Sequence, residues 1–218
     1  MLRNIILNNI RQLIAPSFCA YCGIILFEKG WLCAQCAQNI KPVVSKTIEI
    51  TQSIHMPVFA AGVYEEPLKS LILAKSWSSR IASMRLGELT WQRTSISVLE
   101  FDYIVPVPLH WRRYAWRGYN QADVIAQKIS SLSGKPVAHL VKRIKSTPFL
   151  SSQKIHARPE LLRDAFAASG DLSIYNGSKL LFVDDLLTTG TTLCAVARVV
   201  LRECKPLAMY GVVAARIV

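Results

Sequence analysis

The 218-residue chain is 51% hydrophobic and only 18% charged, which gives it enough apolar material for a packed core and excludes global disorder. It contains no apolar run of about 18 residues, which excludes a transmembrane helix on sequence grounds. Its net charge of +12 favours a polyanionic partner; nucleic acid, nucleotide phosphates and acidic membrane surfaces all satisfy that charge.

Residues 1–16 interleave Arg3 and Arg11 with Ile5, Ile6, Ile10 and Leu13 at helical spacing, while Asn4, Asn8, Asn9 and Gln12 break the unbroken stretch that a secretion signal needs. A short amphipathic helix is expected, docked on the body of the protein or else on a membrane surface or partner. The cysteine pairs follow, then a polar, proline-containing connection over 41–57. From Val58 the pattern alternates between strand and helix. Strands are expected at 58–64, 103–107, 136–141, 179–183 and 209–215, and helices at 67–74, 81–99, 120–133 and 191–203. Residues 142–159 read as a long basic loop. The order predicts an α/β domain over 46–218, with a mostly parallel sheet flanked by helices on both faces, and a small N-terminal unit over 1–45.

Cys19-Ala-Tyr-Cys22 and Cys33-Ala-Gln-Cys36 are two C-x2-C knuckles separated by ten residues. Four thiolates in this pattern suit a closed, structural zinc site, and Gly23 allows the tight turn after the first pair. An iron–sulfur cluster or redox-active pairs are the alternatives. The lack of a secretion-signal pattern points to a reducing cytoplasm, where paired cysteines hold metal more often than disulfides. Cys194 and Cys204 read as apolar helix residues.

The stretch Leu180–Thr192 is the most informative. A buried strand is expected to end in Asp184 and Asp185. A turn carrying Thr188, Thr189, Gly190, Thr191 and Thr192 follows, and then a helix begins. Ligands of open α/β sheets bind beyond the carboxyl ends of strands. Helix-start amides and threonine hydroxyls make an anion cradle, and Gly190 lets the backbone come close. The turn is not a Walker A loop, since no Gly-Lys-Ser/Thr follows. A carboxylate pair instead suits the vicinal hydroxyls of a ribose whose 5′-phosphate sits in the cradle. This segment resembles the phosphoribosyl-pyrophosphate (PRPP) signature of type I phosphoribosyltransferases.

A second strand, Tyr103–Val107, is expected to run into a loop, Pro108-Leu-His-Trp-Arg-Arg113, and Arg117-Gly-Tyr-Asn-Gln121 follows. Arg112, Arg113 and Arg117 suit a pyrophosphate, or else form a solvated basic face; Asn120 and Gln121 suit a helix cap. Together with the double knuckle, Tyr64-x-x-Pro67-x-Lys69 and the phosphate turn, this block resembles the ComF/GntX family, which is linked to competence for DNA uptake.

The resemblance implies a type I phosphoribosyltransferase fold, structural Zn²⁺, and PRPP bound with Mg²⁺. It also implies a cytoplasmic role in natural transformation, with association at the inner face of the membrane as a variant. Asp184 and Asp185 are the expected catalytic pair if the phosphoribosyl group is transferred to an acceptor the sequence does not name. The alternative is a non-catalytic factor of the competence machinery that binds single-stranded DNA, or docks a helicase or the uptake apparatus, and uses PRPP only as a ligand. Lys142, Arg143, Lys145, Lys154 and Arg158 are the candidate nucleic-acid contacts.

Overall fold

The computed structural model describes residues 17–26, 30–73, 78–145 and 164–218. The helix expected over 1–16 lies outside them, as do Lys154 and Arg158. A small antiparallel hairpin comes first, β1 (Ser17–Phe18) with β2 (Ile25–Leu26), followed by helix α1 (Ala34–Gln38). The body then runs β3 (Lys46–Glu49), β4 (His55–Ala60), α2 (Leu68–Leu73), α3 (Ser78–Arg93), β5 (Tyr103–Pro106), α4 (Trp111–Arg117) and α5 (Gln121–Ser133). It closes with β6 (Val141–Arg143), β7 (Phe166–Ala168), β8 (Lys179–Leu187), α6 (Thr191–Glu203) and β9 (Ala208–Arg216).

Five strands form the central sheet in the order β3-β4-β9-β8-β5. Only the β3–β4 pair is antiparallel, so the sheet is mixed with a parallel centre. Strand alternation splits β8 between two cores. Leu180 and Phe182 pack with Leu193, Val196 and Val200 of α6 on one face. Leu181 and Val183 pack with Leu86 of α3 and Ile125 and Ile129 of α5 on the other. Helix α5 buries Ala122, Ile125, Ala126 and Ile129, an i, i+3, i+4, i+7 stripe, and leaves Leu132 exposed. Helices α3 and α5 approach closely at Gly87, where a Cβ would stand 2.8 Å from the Lys128 Cβ.

Four expectations are corrected. The connection over 41–57 is not a linker: β3 and the start of β4 occupy it, because Ile48 and Met56 point inward while Thr47 and Glu49 face water. The basic loop begins later than expected, since Val141–Arg143 pairs with Phe166–Ala168 as a separate two-stranded ribbon packed on α6. The segment after Pro108 is helical, with the buried His110 capping α4: its Nδ1 accepts the Arg112 N–H at 3.3 Å. Strand β8 does not end at the acid pair, because β9 keeps pairing with it as far as Leu187↔Arg216.

The N-terminal unit is tied to the body at α3. Arg93 donates to the carbonyls of Ile40 and Ala37 at 3.0 Å each, at the C-terminal end of α1. Among the described residues no helix is long and apolar enough to cross a membrane.

Candidate functional site

Strand β5 stops pairing with β8 at Pro106↔Val183, and the Val107 N–H makes a last bond to the Val183 carbonyl at 2.9 Å. Its chain then turns away into α4 while β8 continues beside β9. Residues 184–187 therefore have a strand neighbour on one side only, and the crevice at the carboxyl end of the sheet opens beside them. The acid pair sits at that opening. Both aspartates are partly exposed, and the Asp185 N–H donates to Asp184 Oδ1 at 2.9 Å.

The protein packed around Asp184 and the neighbouring charge of Asp185 push its carboxyl well above the usual range, and Arg143 pulls the other way. Arg143 lies on the same face of β6 as the buried Val141, opposite Phe166 in register, with Cζ 5.3 Å from that ring. The alternation that exposes Lys142 turns Arg143 inward. The candidate nucleic-acid set is thus split: Arg143 turns inward and favours the charged form of Asp184, Lys142 faces solvent, and Lys145 pairs with Asp164 at 3.6 Å.

Tyr64 lies within the electrostatic reach of Asp185. Its N–H donates to the Arg216 carbonyl at 2.8 Å, anchoring it at the end of β9. Burial, and then the charges of Asp185 and Glu66, raise its phenol. Sequence reasoning placed Tyr64 only inside a motif. It missed Arg143's part because the register with Phe166 is a long-range fact.

The turn after β8 pivots on Gly190, whose φ of 90° and ψ of 0° lie in the left-handed region. An added Cβ there would lie 2.9 Å from Ile48 Cγ2 on β3, so both the dihedral and the close approach require glycine. No side chain caps α6, which leaves its first-turn amides without intrahelical partners, as an anion cradle requires. The hydroxyls of Thr189 and Thr191 are 2.6 Å apart, Thr188 and Thr192 are partly exposed, and α6 starts at Thr191 as the sequence predicts.

The loop after β5 is braced by Asn120, whose Nδ2 donates to the Val107 carbonyl at 2.9 Å while its Oδ1 accepts the Ala122 N–H at 3.2 Å. Gln121 donates to the Ile72 carbonyl at 3.0 Å. Arg112 is exposed on α4, with Cζ 5.4 Å from the Trp111 ring centroid. Arg113 and Arg117 belong to the same helix, and their side chains lie outside the described residues.

In the N-terminal unit the sulfurs of Cys19, Cys22, Cys33 and Cys36 all lie within 4.8 Å of one another. The Cys22 and Cys33 sulfurs are 3.8 Å apart. Tetrahedral zinc with bonds of about 2.3 Å would place its sulfurs at about that spacing. The Gly23 N–H closes the first knuckle onto the Cys19 carbonyl at 3.0 Å, and the Cys36 N–H reaches Cys33 Sγ at 3.5 Å. Burial disfavours the Cys19 thiolate, but the amides of Cys22, Cys33 and Tyr21 outweigh it and bring the thiol down to about 6. Burial and the sulfurs of Cys33, Cys22 and Cys19 push Cys36 up. Four thiols this close ionise together only around a cation, so the cluster could hold a zinc ion.

Residues 116–216 match the phosphoribosyl transferase domain family. The chain carries a phosphoribosyl transferase domain. That match and the parallel centre of the sheet give the type I phosphoribosyltransferase-like fold. The chain is a homologue of Competence protein F from Haemophilus influenzae, 29% identical over 196 residues that cover 86% of this chain and 80% of the relative. It is likewise a homologue of DNA utilization protein YhgH from Escherichia coli, 29% identical over 194 residues covering 86% and 79%. Among solved structures, adenine phosphoribosyltransferase from Saccharomyces cerevisiae is similar at a TM-score of 0.36 and 15% identity, over 83% of this chain and 89% of that one.

Proposed function

We propose that this chain binds PRPP at the carboxyl end of β8 and uses it in the handling of incoming DNA. The supporting observation is the acid pair at the point where β5 leaves β8, followed within a few residues by a glycine-pivoted threonine turn on an uncapped helix. Asp184 and Asp185 accept the ribose hydroxyls, and the turn from Thr188 to Thr192 holds the 5′-phosphate. The names of the relatives, Competence protein F and DNA utilization protein, support the DNA context.

The same arrangement suits phosphoribosyl transfer. The acceptor forms a bond to the anomeric carbon as the bond from that carbon to pyrophosphate breaks, and the electron pair leaves on pyrophosphate. The acid pair faces the ribose as its ring gains positive charge. Arg112 and Arg143 carry the opposite charge needed at the leaving group. Two crowded carboxylates, one with a raised pKa, form a donor set that gains from a cation and fits Mg²⁺. When bound with PRPP, Mg²⁺ supplies charge screening at the pyrophosphate.

Calorimetric titration of PRPP with Mg²⁺ is expected to show binding to wild type and none to Asp184→Asn/Asp185→Asn protein of unchanged circular dichroism. No heat with folded wild type would reject the reading. Pyrophosphate release in the presence of base, amine and carboxylate acceptors then distinguishes transfer from ligand sensing.

The four-sulfur site is assigned to zinc. Elemental analysis should give one zinc per chain, and the visible absorption of an iron–sulfur cluster would overturn the assignment. The exposed Lys142 and the net charge of +12 support contact with single-stranded DNA, which should weaken steeply as salt rises.

A further inference from the structure

A groove of about 1020 Å³ runs along α6 between that helix and the β3–β4 hairpin. The acid pair lies outside its lining, while Thr189, Gly190 and Thr191 wall one end, so an occupant would rest against the back of the phosphate turn. The volume lies just above the roughly 300–1,000 Å³ typical of small-molecule sites.

The helix pattern explains the groove. Thr191, Ala195, Arg198 and Arg202 follow one another at spacings of three or four along one face of α6, so small residues leave room in the middle and cations stand further along. Ile48, Phe166 and Val199 give it an apolar wall. Lys46, Arg198, Arg202 and Lys205 line it against two carboxylates, Glu49 and Asp164, of which Asp164 is already paired with Lys145 at 3.6 Å. The Arg198 Nε–H donates to the Ile50 carbonyl at 2.6 Å, which fixes that guanidinium at the hairpin. Thr47 and Thr51 add hydroxyls along the hairpin side.

An apolar wall, hydroxyls and surplus positive charge within one cavity match an anion with a flat apolar body. The chain's own residues 1–16 are a poor occupant, since they bring Arg3 and Arg11 and no acidic residue to a cationic rim. We infer that the groove between α6 and the β3–β4 hairpin is a second ligand site that takes a nucleoside phosphate, with its base on the wall of Ile48, Phe166 and Val199 and its phosphate held by Arg198, Arg202 and Lys205 toward the C-terminal end of α6.

The probe is adenosine 5′-monophosphate titrated into the full chain by calorimetry, with inorganic phosphate and decanoate as separate arms. Binding is expected to wild type and to Asp184→Asn/Asp185→Asn protein alike. It should weaken at least about tenfold, roughly 1.4 kcal/mol, in Arg202→Glu/Lys205→Glu protein whose thermal midpoint and PRPP binding are unchanged. Loss of probe binding in the aspartate double variant, with displacement of the probe by PRPP, would place it in the phosphate cradle and overturn the inference. Binding of decanoate alone, of inorganic phosphate as tightly as the nucleotide, or of none of the three probes would also overturn it.

Discussion

Among the described residues between 17 and 39 the buried apolar set consists of Cys19, Leu26 and Cys36, with Leu32 and Cys33 packed against them. The α/β body, by contrast, buries two extended clusters on either side of β8. A burial of three residues offsets little of the conformational entropy lost on ordering a segment of that length. The comparison teaches that apolar packing and metal ligation are alternative ways to fix a backbone. In this chain the body relies on the first, and the four clustered cysteines offer the N-terminal unit the second.

Metal removal is the sharpest way to break that comparison. Chelation should cost the N-terminal unit on the order of 10 kcal/mol of folding free energy. Limited proteolysis should then cut within 17–40 while the thermal midpoint of the body holds; an equal loss from both regions would refute the division. Next in size is Phe182→Ala, at a side chain that is fully buried. It should destabilise the body by about 3–5 kcal/mol in denaturant unfolding and leave the metal content unchanged.

Gly190→Ala forces a side chain into the left-handed region and against Ile48, and should cost about 1–3 kcal/mol. It should also weaken PRPP binding, which a purely structural glycine away from the cradle would not. The smallest effect has the opposite sign. Asp184 has a folded-state pKa raised by burial and by Asp185. The stability it contributes is complete below the unfolded aspartate value of about 3.9 and is lost as pH rises through its raised folded value. Asp184→Asn should therefore raise the midpoint near neutral pH. The gain should vanish in acid, as a pH series of melting curves would show.

Much of this was legible in the sequence because it is local. The four-cysteine spacing, the start of α6 at Thr191, the cap of α5 at Asn120 and the buried run from Leu180 to Val183 all follow from neighbours in the chain. Strand β3 was hidden because an edge strand with one wet face reads as polar. The continuation of β8 past Asp185 depends on β9, and the inward turn of Arg143 on its register with Phe166. Both need pairing partners distant in sequence.

The two bonds from Arg93 have a mechanical consequence. One guanidinium grips the tail of α1, and the helix that carries it lies along α5 and β9. A pull on the knuckles would therefore load the backbone of α3 and pass into the layer beneath the acid pair. Clipping that side chain to alanine would leave Trp31, Leu32 and Ile40, packed with the core beneath α3, to hold the cysteine unit by apolar contact alone at that seam.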